Sequence, residues 1–168
     1  MGEVTQRAAS LDDLKDMWGL VRQVADDIPF DLQTVAGQES LLSELMCCCT
    51  SGLSPIAIGD DKAIVGALLA RRDDFEWGFR NANVIHVAYA AVAPDQRDKG
   101  LLQSLLGKVQ EQKVPVLVSV KSGEKLGLAD QLKALGFAHE CKAESGWGDL
   151  YKWQPPANGA AATNGAAH

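Results

Sequence analysis

Apolar and polar positions change their spacing along this chain, and each change marks an element. Leu11, Leu14, Met17, Trp18, Val21, Val24 and Ile28 recur at the spacing of an amphipathic helix, which Pro29 ends. Ser10, with Asp13 three residues on, gives that helix an imperfect capping box. Ahead of it, Glu3 to Ala8 predicts a short strand. A second helix is expected from about Leu32 to Cys49, with Leu41, Leu42, Leu45 and Met46 on its inner face. Gly52 and Pro55 punctuate its exit.

Beyond Pro55 the period shortens. Pro55 to Gly59 and Ala63 to Arg71 are apolar runs joined by Asp60-Asp61-Lys62, the pattern of a hairpin. Asn81 to Asn83 predict a turn, and Val84 to Val92 a long apolar strand. Leu101 to Gln112 returns to helical spacing. Val114 to Val120 predicts a strand buried on both faces, and Leu126 to Leu135 a helix stopped at Gly136. Ala138 to Ala143 and Asp149 to Trp153 predict a closing hairpin around Ser145-Gly146-Trp147-Gly148. Together these make an α+β domain over residues 1–154, a single mixed, mostly antiparallel sheet flanked by helices. Residues 155–168, PPANGAAATNGAAH, are low-complexity and expected to form a mobile tail.

Composition narrows the function. With 168 residues and 46% hydrophobic content, the chain can bury a real core. Its net charge of −6 argues against a nucleic-acid partner or an anionic membrane surface, both of which want a basic face. No apolar run is long enough to span a bilayer and no signal-peptide pattern opens the chain, so a cytoplasmic location is expected. Cys47, Cys48, Cys49 and Cys141 match neither a disulfide framework nor a zinc spacing. The triplet is expected to be small residues at a helix end, at least one of them buried, and no metal site is expected.

The chemistry concentrates in "AVAPDQRDKGLL", residues 91–102. A buried strand here hands over to a helix through a charged turn and Gly100. A helix start has unpaired N–H groups and a partial positive charge, and glycine lets backbone approach a ligand closely. Arg97 and Lys99 add charge beside it. On local features alone, an anion-binding turn and a solvated surface turn fit equally well.

The same stretch resembles the acetyl-CoA motif of the GCN5-related N-acetyltransferases, which runs Val-x-Pro, two residues, then Arg/Gln-x-x-Gly-x-Gly/Ala. Val92, Pro94, Arg97 and Gly100 fall in register, while Leu102 replaces the last small residue. "LKALGF", Leu132 to Phe137, is similar to the family's Leu-Gly-Phe helix ending, and "IAIGDDKAIVGALLARR" to its second and third strands. The resemblance covers roughly residues 3–154.

That resemblance implies an acetyl-CoA-dependent N-acetyltransferase, in which a primary amine attacks the thioester directly. The acceptor would be a small molecule, an amino terminus or a lysine. The pyrophosphate would lie on the backbone N–H groups of Arg97, Asp98, Lys99, Gly100, Leu101, Leu102 and Gln103. Ala90, Ala91 and Val92 would contact the cofactor. Ala90 and Val92 would pair with its pantetheine arm as an added strand does, and one of their N–H groups would stabilise the thioester oxygen. Family members commonly dimerise, which leaves a homodimer open.

The proton-transfer groups are less complete. Some members carry a glutamate six residues before the position of Val92, which here is His86, a side chain suited to take a proton from an amine near neutral pH. Strand alternation is expected to put His86, Ala88, Ala90 and Val92 on one face and Tyr89 on the other. The alternative is a strand histidine satisfied by a neighbouring group. The tyrosine that often protonates the leaving thiolate falls at Leu132. This departure supports a second possibility, a non-catalytic acyl-CoA-binding module. The acceptor groove of the family is bounded by regions that here hold Asp26, Asp27 and Asp31, and Asp73, Asp74, Glu76 and Trp77, a set that suits a cationic amine; the alternative is a solvated face, and Arg71, Arg72 and Arg80 in the same region weigh against a cation.

Overall fold

A computed structural model describes residues 4–28, 30–72, 83–123, 126–142 and 148–157. Strand β1 (Thr5–Ala8) leads through a 3-10 turn at Leu11–Asp13 into helix α1 (Leu14–Gln23). A second 3-10 turn, Ala25–Asp27, precedes helix α2 (Val35–Ser51). Then follow β2 (Pro55–Ile58), β3 (Ile64–Arg72), β4 (Ile85–Val92), a 3-10 turn at Pro94–Gln96 and α3 (Leu101–Gln110). The chain closes with β5 (Val116–Lys121), α4 (Leu128–Ala134), β6 (Ala138–Lys142) and β7 (Gly148–Trp153). The strands form one sheet in the order β1-β2-β3-β4-β5-β7-β6, antiparallel throughout except for the parallel pair β4–β5. The element order is the one the apolar spacing predicts. The turns expected around residues 81 and 145, the tail from residue 158 and the acidic loop with Trp77 lie outside the described residues.

Each face of the sheet buries its own cluster. One packs α3 and α4 onto the sheet through residues such as Leu68, Ile85, Leu105 and Leu132; the other packs α1 and α2 through Met17, Leu41, Leu45 and Leu69. Helix α2 departs from expectation, because Leu42 and Met46 are exposed while Cys48 and Cys49 face the core with Leu41 and Leu45. Apolar residues surround most of this helix, so spacing alone did not define its inner stripe. Strand β5 also departs: Val116, Val118 and Val120 are buried, but Ser119 is exposed. The α1–α2 layer leaves that part of the sheet open.

The first helix opens on a carboxylate knot instead of running unbroken from Leu11. Asp13 receives the Ser10 N–H at 2.8 Å and its hydroxyl at 3.0 Å, and both Arg7 guanidinium nitrogens reach its two oxygens at 2.7 Å. The Arg7 hydrogen bonds, helped by Ser10, outweigh burial and hold the Asp13 carboxyl down at about 2. A carboxyl whose folded pKa lies below its unfolded value stabilises the fold above the unfolded value, about 4, and loses that contribution as pH falls towards about 2. Because Arg7 is half exposed, we expect Asp13→Asn to cost about 1–2 kcal/mol at pH 7. Urea unfolding should show that difference shrinking as pH falls from 4 to 2.

Candidate active site: a gap in the sheet above a glycine turn

The gap follows from the pairing of β4. On one side it pairs with β3 along its whole length, from Arg72↔Ile85 to Gly66↔Val92. On the other it meets β5 at only three rungs, Ile85↔Val116, His86↔Leu117 and Val87↔Val118. Past these the strands part, since β5 continues with β7 to Lys121. The Ala93 N–H bonds the Val65 carbonyl at 2.9 Å. Backbone polar groups alternate sides along a strand, so those of Val92 and Ala90 face the gap and those of Ala91 face β3.

The gap runs onto the turn before α3. A cavity of about 350 Å³ is lined there by Val92, Arg97, Asp98, Gly100, Leu101, Leu102 and Gln103, with Leu126 and Gln131 opposite. Asp98 and Gly100 are both left-handed, at φ +64 and +73. Left-handed residues set among ordinary ones turn successive N–H groups inward, which makes an anion-binding concavity. The first intrahelical bond is Ser104 N–H to the Gly100 carbonyl, so the N–H groups of Leu101, Leu102 and Gln103 have no partner within the helix. A Cβ on Gly100 would meet no protein atom within 4 Å; the position demands its φ, not space. Gly66 serves differently. A Cβ there would stand 2.9 Å from Leu101 Cδ2 and 3.3 Å from Leu105 Cδ1, so glycine lets these side chains of α3 pack closely on β3 without shifting.

The side chains around the turn are ordered by ion pairing. Arg97 Nη2 donates to Asp27 Oδ2 at 2.5 Å, and Arg97 Nε to the Val92 carbonyl at 3.4 Å. Lys99 is exposed, its Nζ 3.5 Å from Gln96 Oε1. Leu102, where the family motif has a small residue, is buried in the core cluster while still lining the cavity. Of the expected cofactor residues, Val92, Arg97, Asp98, Gly100, Leu101, Leu102 and Gln103 line this cavity, Ala90 turns its backbone to the gap, and Lys99 does not line it. Ala91 is turned elsewhere: its backbone pairs with Ala67 and its side chain is buried against the α1–α2 layer.

The expected face for His86 is corrected by a bulge. Leu69 opposes Tyr89 while the next residue, Ala70, opposes Val87, so Ala88 is an extra residue in β4. The extra residue reverses the alternation. Ile85, Val87, Ala90 and Val92 face α3, whereas Tyr89 and Ala91 face α1 and α2. His86, next to Ile85 and opposite Arg71, falls on the α1–α2 face with Tyr89, not with Ala90 and Val92. Ser54 supports β3 at this point, its hydroxyl donating to the Ala70 carbonyl at 2.7 Å and accepting the Ala70 N–H at 2.8 Å.

His86 Nε2 lies 2.9 Å from Ser119 Oγ, one residue past the last β4–β5 rung, at the point where the gap opens. Tyr89 stands edge-on to Phe30 with ring centres 5.1 Å apart, and burial, with Glu44 nearby, raises its pKa. Leu132 is fully buried and helps close α4: the Phe137 N–H bonds the Leu132 carbonyl at 3.0 Å and the Gly136 N–H bonds that of Lys133 at 3.1 Å. The "LGF" ending is thus a Schellman cap, with Phe137 packed in the same cluster as Leu132. Cys48 and Cys49 are buried as expected of the triplet; burial pushes the Cys48 thiol up to about 12 and also raises Cys49, which suppresses nucleophilic thiolate.

Sequence reasoning missed Asp27 as the partner of Arg97, Ser119 as the partner of His86, and Gln131 in the cavity wall. Asp27 and Arg97 are 70 residues apart, and no local pattern joins them.

No protein-family model matches the chain, and no curated protein matches its sequence. Solved structures do. A diaminobutyrate acetyltransferase from Paenibacillus lautus, in complex with diaminobutyric acid and coenzyme A, aligns over 92% of this chain and 96% of its own, at TM-score 0.64 and 20% identity. A protein from Corynebacterium glutamicum described as histone acetyltransferase HPA2 and related acetyltransferase aligns over 94% and 98%, at TM-score 0.66 and 18% identity. A Drosophila melanogaster polyamine N-acetyltransferase that forms N-acetylagmatine aligns over 90% and 100%, at TM-score 0.62 and 13% identity. With its seven-stranded mixed sheet, its parted β4–β5 pair and its glycine turn, the chain has the acyl-CoA N-acyltransferase fold of the GCN5-related N-acetyltransferases.

Proposed function

We propose that this protein transfers an acetyl group from acetyl-CoA to a primary amine. The observation that carries it is the meeting of the β4–β5 gap with the glycine turn: Val92, whose backbone faces the gap, lines one cavity with Asp98, Gly100, Leu101, Leu102 and Gln103. A ligand with an amide-bearing arm and a pyrophosphate matches both parts. The backbone groups of Ala90 and Val92 that face the gap suit the arm, and the turn suits the phosphates. Similar structures with coenzyme A support this choice.

Acetyl-CoA supplies the activated acyl group, and this chain's residues orient it and move protons. The N–H of Ala90 or Val92 stabilises negative charge on the thioester oxygen as the amine attacks. His86, at the opening of the gap, takes the proton that the amine must lose. Leu132 can donate nothing to the departing sulfur, so the thiolate leaves towards water. Asp27 is committed to Arg97, which leaves the exposed carboxylates of Asp26 and Asp31 as the acidic side chains of this segment open to a cationic acceptor. Similar structures act on agmatine and diaminobutyrate, both amines. No helix among the described residues is long and apolar enough to cross a membrane.

The test is acceptor-dependent release of coenzyme A, followed with a thiol reagent across polyamines, amino acids and peptide amino termini. We expect release with at least one amine. The buried Leu132 favours a second reading, an acyl-CoA-binding module without turnover, and binding with no release across the panel would establish it.

A further inference from the structure

We propose that Asp27 is a positioning residue of the cofactor turn, acting through Arg97. The proposal rests on the placement of acetyl-CoA above. Asp27 belongs to the 3-10 turn after α1, on the opposite side of the sheet from α3, yet its carboxylate reaches Arg97 Nη2 at 2.5 Å. Its side chain is only 8% exposed, and that of Arg97 23%. A carboxylate so buried holds its partner tightly, because separating them strands a charge away from water. Arg97 Nε meanwhile spans to the Val92 carbonyl, one of the strand groups that face the gap.

These two contacts fix a planar fork at the mouth of the cavity. Of the five guanidinium donors, one goes to Asp27 and one to Val92, which leaves three for a ligand. Arg97 lines the cavity, so those donors stand beside the inward-turned N–H groups of the turn. Without Asp27 the long side chain would have to be ordered by the ligand itself, at an entropic cost. The pair also ties the α1–α2 connection to the turn.

Calorimetric titration with desulfo-CoA and with inorganic pyrophosphate tests the role in four forms: wild type, Asp27→Asn, Arg97→Ala and the double variant. Asp27→Asn should weaken both ligands about tenfold, the effect of losing one charge-assisted contact. At saturating acetyl-CoA its turnover should stay near wild type, so the loss appears in KM. Arg97→Ala should bind worse than the double variant, because it leaves the Asp27 carboxylate unpaired beside the phosphates. Wild-type affinity in Asp27→Asn overturns the proposal, as does an equal loss from Asp27→Asn when Arg97 is already alanine. If Asp27→Asn does not fold, Asp27→Ser takes its place: it too removes the charge from Arg97, and a wild-type affinity there overturns the proposal equally. Failure of the wild type itself to bind desulfo-CoA would instead refute the cofactor assignment.

Discussion

His86→Ala should lower turnover about 10²-fold while leaving acetyl-CoA affinity nearly unchanged, the lower end of what a positioned base contributes. The ring stands where β4 and β5 part, away from the Gly100 turn, and in the proposed mechanism it acts only on the amine, so its loss falls on the transition state and not on cofactor binding. In the parent protein the rate should rise with pH through the range where histidine titrates, and the variant should lose that inflection. The contact to Ser119 gives the histidine a reason to exist without catalysis, which makes the pH profile the decisive readout. A variant with full turnover and an unchanged profile would make His86 a packing residue and leave deprotonation to water.

Gly100→Val should damage cofactor binding first. The position sits at φ +73, where a β-branched residue is strained by about 1–3 kcal/mol. The turn can relieve that strain only by rotating the N–H groups that converge on the cavity. The expected result is about a 10–100-fold weaker acetyl-CoA affinity, read from KM or by titration. Gly100→Ala should fall between the two, because alanine tolerates the left-handed region better than valine does. An added Cβ meets no protein atom within 4 Å, so for Gly100→Ala a loss of affinity without a comparable loss of stability isolates the turn's conformation as the cause.

The order of elements was legible because the spacing of Leu11 to Ile28, of the two apolar runs after Pro55 and of Leu101 to Val109 each differs from its neighbours. The glycine turn was legible too, since Pro94, Arg97 and Gly100 carry it locally. The side on which His86 stands was not. It depends on the bulge at Ala88, which lies in Ala-Tyr-Ala-Ala, a stretch whose small residues fit either face. The extra residue shows only when β4 is laid against β3. Nor did the sequence show that β4 and β5 part after three rungs, because pairing depends on where the next strand, β7, draws β5. Asp27 looked like one more acidic loop residue. Its role came from burial and a guanidinium distant in sequence, and it removed one carboxylate from the set that had seemed free for a cationic acceptor.

In the proposed function, the parted strands and the turn at Gly100 form one site for acetyl-CoA. Calorimetric titration with acetyl-CoA, repeated with desulfo-CoA to separate binding from turnover, tests it most directly. The account requires saturable one-to-one binding of both ligands in the micromolar range, weakened by Gly100→Val and unaffected by His86→Ala. Absence of binding by either ligand at high micromolar concentration would contradict it.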